Sequence, residues 1–94
     1  MRHFIIVKWQ EGVDREQVAK PVRELFSKAL EIEGVDKVDV HVCNSDRSNR
    51  YDMMIEMFMS KEGLEAYDSS EMHKQWKREY GDRIAAKTIF DCDN

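Results

Sequence analysis

One proline, four glycines and two cysteines are all that this chain of 94 residues holds of the residue types that most restrict or free a backbone. The cysteines, Cys43 and Cys92, make neither a disulfide framework nor a C-x-x-C pair, so both are expected as reduced, inert thiols. Long apolar runs are missing too. The longest aliphatic or aromatic stretch, Phe4 to Val7, is far short of the ~20 residues a spanning helix needs, and no signal peptide precedes it. A cytoplasmic protein with no membrane partner is therefore expected. Basic residues are outnumbered, 15 Lys and Arg against 19 Asp and Glu for a net charge of −4, which weighs against a nucleic-acid partner held by a basic face. Internal repeats, linkers, a phosphate loop, a nucleophile elbow and a dinucleotide fingerprint are all absent.

What is present is a composition of 41% hydrophobic and 36% charged residues, too apolar for disorder and too charged for a membrane span. The length suits a single domain over residues 1–94. Phe4-Ile5-Ile6-Val7 inside Arg2 to Trp9 reads as a first strand buried on both faces. Asp14, with Gln17 three residues on, opens a helix whose apolar stripe is Val18, Val22, Leu25 and Ala29 with Phe26 and Leu30 alongside. Pro21 interrupts that pattern and predicts a kink or a separate first segment, and Gly34 is expected to end the helix. Val38, Val40 and Val42 alternate with Asp39, His41 and Cys43 as a half-buried second strand. The polar run 44–50 is a hairpin loop, and Tyr51 to Met59 forms a third, central strand. Lys61 to Tyr80 has helical spacing with a second capping signal at Asp68-Ser69-Ser70-Glu71, so one helix becomes two. Gly81 closes it and Ile84 to Cys92 is the last strand.

The order β-α-β-β-α-β predicts an α+β, ferredoxin-like split β-α-β fold, a four-stranded antiparallel sheet with helices on one face. Helices cover only one side, which leaves Phe4, Ile6, Met54 and Phe58 in need of another cover. A second copy of the chain, sheet against sheet, provides it as a homodimer.

Among groups able to carry chemistry, His3 shares the parity of Ile5 and Val7 and so points where those side chains point, beside aliphatics where a ring needs a partner or a ligand. His73 lies in the first turns of the restarted helix, whose unpaired N–H groups disfavour an imidazolium, while Asp68 and Glu71 push the other way. Trp76 is one turn further on. Tyr67 precedes His73 by six residues, about 120° apart on an unbroken helix, so the two meet only if the helix breaks. Together, His3, Tyr67 and His73 suit general acid–base work on a carbonyl compound, imidazole taking the proton and phenol holding the oxygen. The competing reading is that these rings are satisfied structural groups. His41 and Cys43 share a face and offer half of a metal site, without further ligands at a recognised spacing. The six methionines read as adaptable core filling.

The segments Arg2 to Trp9, Glu33-Gly34-Val35, Arg50-Tyr51-Asp52, Leu64-Glu65-Ala66-Tyr67, His73-Lys74 and Ile89-Phe90-Asp91, in that order and spacing, resemble the stress-responsive A/B-barrel family of dimeric α+β barrels. The resemblance covers nearly the whole chain. It implies a ferredoxin-like protomer that closes a barrel with its two-fold mate. Through olivetolic acid cyclase-like members it also implies cofactor-independent acid–base catalysis of the cyclase, lyase or isomerase type, with His3, Tyr67 and His73 catalytic. On that likeness Ile5, Val7, Ile55, Met57 and Ile84 line the pocket and neither metal nor cofactor is needed; Trp76, from its place one turn beyond His73, is expected as an aromatic wall. The family commonly has His-Pro-x-His before the helix restart; Ser70-Glu71-Met72-His73 stands here. The rivals are a non-catalytic stress-induced or ligand-binding protein, and haem binding or degradation, which related dimeric barrels perform.

Overall fold

A computed structural model describes residues 1–93. Strand β1 (Arg2–Trp9) leads to helix α1 (Arg15–Ser27), a 3₁₀ turn (Lys28–Glu31), and strands β2 (Val35–Val42) and β3 (Met53–Met59). Helices α2 (Lys61–Asp68) and α3 (Glu71–Tyr80), a short 3₁₀ turn and strand β4 (Ile84–Cys92) follow. The four strands form one antiparallel sheet in the order β2-β3-β1-β4, the ferredoxin-like α+β arrangement that the element order predicts.

Alternation along β1 buries His3, Ile5, Val7 and Trp9 beneath the helices, because side chains two apart share a face. On β3 the same side carries Met53, Ile55, Met57 and Met59. Helix α1 answers with Val18, Val22, Leu25 and Phe26, and α3 with Met72, Trp76 and Tyr80, the i, i+4 stripes of amphipathic helices. Phe26 meets the Trp76 ring edge-on at 4.9 Å, an arrangement that adds to plain area burial.

Two local expectations are corrected. Helix α1 continues through Pro21, so no separate first segment forms. Pro21 is exposed, so the Gln17 carbonyl it leaves without a partner faces water rather than the core. The helix ends at Ser27 instead of at Gly34, and the tighter 3₁₀ winding that follows turns Ala29 inward and leaves Leu30 50% exposed. Gly34, at φ +95°, instead lets the backbone enter β2. A Cβ there would sit 2.6 Å from the Ser60 hydroxyl and 2.8 Å from Gly63, so the two glycines allow the start of α2 to approach the β2 entry. Gly81 follows α3 in a right-handed conformation, so it terminates the helix without a left-handed cap.

The sheet's other face carries the four apolar side chains expected to need a cover. Phe4, Ile6, Met54 and Phe58 are half-buried there and Phe90 is 56% exposed. Through their midst runs a polar network: Arg2 donates two hydrogen bonds to Glu56, and His41 lies 3.1 Å from the same carboxylate. The Arg2 guanidinium beside Glu56 holds that carboxyl below its ordinary range, against the opposing effect of burial and with help from His41. Arg2 also lies over the Phe4 and Phe58 rings at 5.0 and 5.3 Å.

Candidate functional site

The break between α2 and α3 is made by Ser70. Its hydroxyl donates to the Tyr67 carbonyl at 2.7 Å and accepts the His73 N–H at 3.3 Å, capping α3 as a short polar side chain does. Ser70, with Glu71 at the first helical position, is thus the cap, and the missing His-Pro of the family pattern does not prevent the turn. The break removes the six-residue offset, and the Tyr67 and His73 rings come to 4.6 Å between centroids. His3, reaching up from β1, brings its ring to 5.9 Å from Tyr67. All three expected catalytic side chains therefore line one cleft of about 350 Å³.

Hydrogen bonds fix how each ring presents itself. The His73 Nδ1 lies 2.9 Å from the Asp68 carbonyl; a carbonyl only accepts, so Nδ1 carries the proton and neutral His73 offers the Nε2 lone pair. The His3 Nδ1 lies 2.5 Å from Asp91 Oδ1; an ionised carboxylate only accepts, so Nδ1–H donates to it and the neutral ring offers Nε2 as acceptor. Asp91 was not singled out as a site residue from the sequence. The signal was available in the topology: pairing β1 with β4 antiparallel places Asp91 directly opposite His3.

Tyr67 is 1% exposed and its hydroxyl has no hydrogen-bond partner among the described residues. Burial, assisted by the Asp68 charge, pushes its phenol well above the ordinary value of 10.0. It remains a neutral O–H donor in the working range of pH. Two imidazole acceptors thus line the cleft beside a tyrosine whose hydroxyl is buried and unengaged.

The expected ligand-binding set is only partly brought together. Ile5 and Trp76 line the cleft, joined by Leu64 and Ile89. Val7, Ile55 and Met57 are fully buried in the core and do not line it. They sit deeper along the same sheet face, where the helices close over them. Ile84 packs at the start of β4 opposite Trp9, also away from the cleft. A shallower depression of about 550 Å³ near Glu11 to Asp14 has no imidazole or phenol in its lining.

The pairing of His41 with Cys43 is not found as a ligand set. Cys43 Sγ contacts the Ser45 backbone, while His41, Asp39 and Glu56 bring their polar atoms within 4.8 Å of one another. Arg2 and Lys37 already pair with the two carboxylates, so the group is charge-compensated from within.

Comparison with known proteins bears on the family and the fold. The family model described as the stress responsive A/B barrel domain matches residues 1–94. No curated protein matches the sequence. A dimeric ferredoxin-like protein of unknown function from Thermobifida fusca is 19% identical with a TM-score of 0.77, over 95% of this chain and 85% of that one. A Dabb family protein with a ferredoxin-like fold from Mesorhizobium loti is 14% identical at TM-score 0.72, covering 99% and 94%. A hydroxynitrile lyase from Passiflora edulis is 10% identical at TM-score 0.74, again covering 99% and 94%. At these identities the likeness carries the fold alone.

Proposed function

The chain belongs to the stress responsive A/B barrel domain family, and from that premise we propose a homodimer whose protomers each perform acid–base chemistry on a small carbonyl or phenolic metabolite. His3, Tyr67 and His73 carry it. An imidazole Nε2 takes a proton from the carbon beside a carbonyl, or from a hydroxyl, while the Tyr67 O–H bonds to the oxygen on which negative charge develops. The same imidazolium returns the proton at the end of the step, so the chain's own groups balance the reaction in a cyclase, lyase or isomerase. Asp91 is a positioning residue, holding His3 in the tautomer that exposes Nε2.

The Tyr67 hydroxyl carries this reading. A buried hydroxyl without a partner is unfavourable by ~1–3 kcal/mol, and structural tyrosines ordinarily find one. A ligand oxygen arriving between the two imidazoles would supply it. The dimer is supported by the half-buried aromatics of the open sheet face and by the exposed Phe90. That the Thermobifida fusca protein of the same fold is described as dimeric agrees with it.

The test is a thermal-shift screen of carbonyl and phenolic compounds against the protein and its His3→Ala, Tyr67→Phe and His73→Ala variants, followed by solvent deuterium exchange at the carbon beside the carbonyl of each hit. Hits whose stabilisation fades in all three variants, with exchange abolished in both histidine variants, are expected. Hits that stabilise every variant equally would overturn the assignment of the cleft. Exchange that persists without either imidazole would overturn the chemistry.

A further inference from the structure

The cleft is polarised along its length. Its sheet wall holds the cross-strand pairs His3 with Asp91 and Ile5 with Ile89, and then Lys87, whose partner Val7 is buried beneath the helices. From Asp91 to Lys87 is four residues, roughly 13 Å along an extended strand. Its helical wall runs the same way: His73 lies beside Tyr67 at the His3 end, while Trp76 approaches Trp9 at 6.2 Å. Only residues 81–83 separate α3 from the start of β4. Lys77, one turn (~6 Å) beyond His73, is therefore carried toward Lys87.

Charge follows this axis. Both imidazoles and the groups they contact, Asp68 and Asp91, stand at one end; strand register and helix direction carry Lys87 and Lys77, which also line the cleft, toward the other. Asp91 is committed to His3, whereas neither Lys77 nor Lys87 is in an ion pair with a described residue. Between the ends the walls are Ile5, Trp76 and Ile89. Two uncompensated cations at one mouth of an apolar slot, on a chain of net charge −4, form a local exception that a neutral ligand would not use.

We propose that the cleft takes an elongated organic anion: a carbonyl or hydroxyl end against Tyr67 and the imidazoles, a flat apolar body against Trp76, and a carboxylate at Lys77 and Lys87. This deepens the reading of the cleft as a reactive site and rests on it. Lys77 and Lys87 are specificity-determining residues that act on binding and leave the proton-transfer groups untouched.

The probe pair is 6-acetyl-2-naphthoic acid, with a ketone at one end and a carboxylate at the other, and its methyl ester, which keeps the shape and loses the charge. Binding is followed by isothermal titration. The acid should bind at least about fivefold tighter than the ester at about 20 mM salt, and the advantage should shrink at about 500 mM. Lys77→Gln and Lys87→Gln should each weaken the acid about two- to fivefold and leave the ester unchanged. Both lysines are exposed, so circular dichroism should show both variants folded. Equal affinity for acid and ester, an acid preference that survives the double variant, or no binding of either would overturn the proposal. Equal binding that Tyr67→Phe still weakens would leave the reactive site standing and remove only its anion preference.

Discussion

Replacing Tyr67 by Phe separates a ligand site from a structural ring more sharply than any other single change. The residue is 1% exposed, its hydroxyl has no partner among the described residues, and its ring is flanked by His73, His3 and Phe26 at 4.6, 5.9 and 6.5 Å. Removing the oxygen relieves an unpaired buried hydroxyl, worth ~1–3 kcal/mol, and breaks no hydrogen bond. The ring stays, so the void is only the size of one oxygen and offsets a minor part of the gain. Tyr67→Phe is thus expected to stabilise the free protein by about 1 kcal/mol, which for a domain of this size raises Tm by roughly 4–8 °C. Urea unfolding and calorimetry measure this, with protein concentrations matched because dimerisation makes Tm concentration-dependent. The same variant should lose response to every ligand of the cleft. A variant less stable than the parent by about 1 kcal/mol or more would refute the reasoning, since the hydroxyl would then have a structural partner.

Other outcomes follow from neighbouring features. Gly63→Ala places a Cβ 2.6 Å from the Gly34 carbonyl oxygen; because that contact is backbone, a loss of about 1–3 kcal/mol in urea unfolding is expected, and a neutral result would mean that α2 shifts freely. Glu56 is held below its ordinary value of 4.5, first by Arg2, so its contribution to stability is present above that value and lost as pH falls through the lower folded value. Glu56→Gln should therefore flatten stability against pH on the acid side, and an unchanged acid slope would count against the pairing. For Tyr67 the sign is reversed: its raised pKa leaves its contribution intact below the ordinary value of 10.0 and removes it as pH climbs beyond that. Ultraviolet titration should accordingly show the Tyr67 phenolate only as the fold opens, and ionisation within the native baseline would contradict the burial. Phe58→Asp, on the open sheet face, should yield monomers in sedimentation at micromolar concentration, whereas an intact dimer would place the interface elsewhere.

Much of the architecture is legible in periodicity. The short apolar block of β1, the two-residue alternation of β2, the four-residue stripe of α1, and the polar Asp68 to Glu71 run all mark real elements, because burial is a local constraint written into consecutive residues. His3, Tyr67 and His73 could be nominated for the same reason, each from its own strand or helix. Their meeting was not legible: it depends on the Ser70 hydroxyl bridging two helices and turning six residues of separation into ring contact. Asp91 was hidden by the opposite difficulty, its partner being 88 positions away.

From its own order of residues the chain determined which segments extend, which coil, and which side of each carries apolar mass, since those follow from neighbours within a turn or a pleat. Only the folded arrangement decided that Val7, Ile55 and Met57 close the core while Ile5 and Trp76 face a cleft, and that Lys77 and Lys87 line that same cleft. Depth beneath a helix, and proximity across a sheet, are relations between segments distant in sequence, and packing in three dimensions is what sets them.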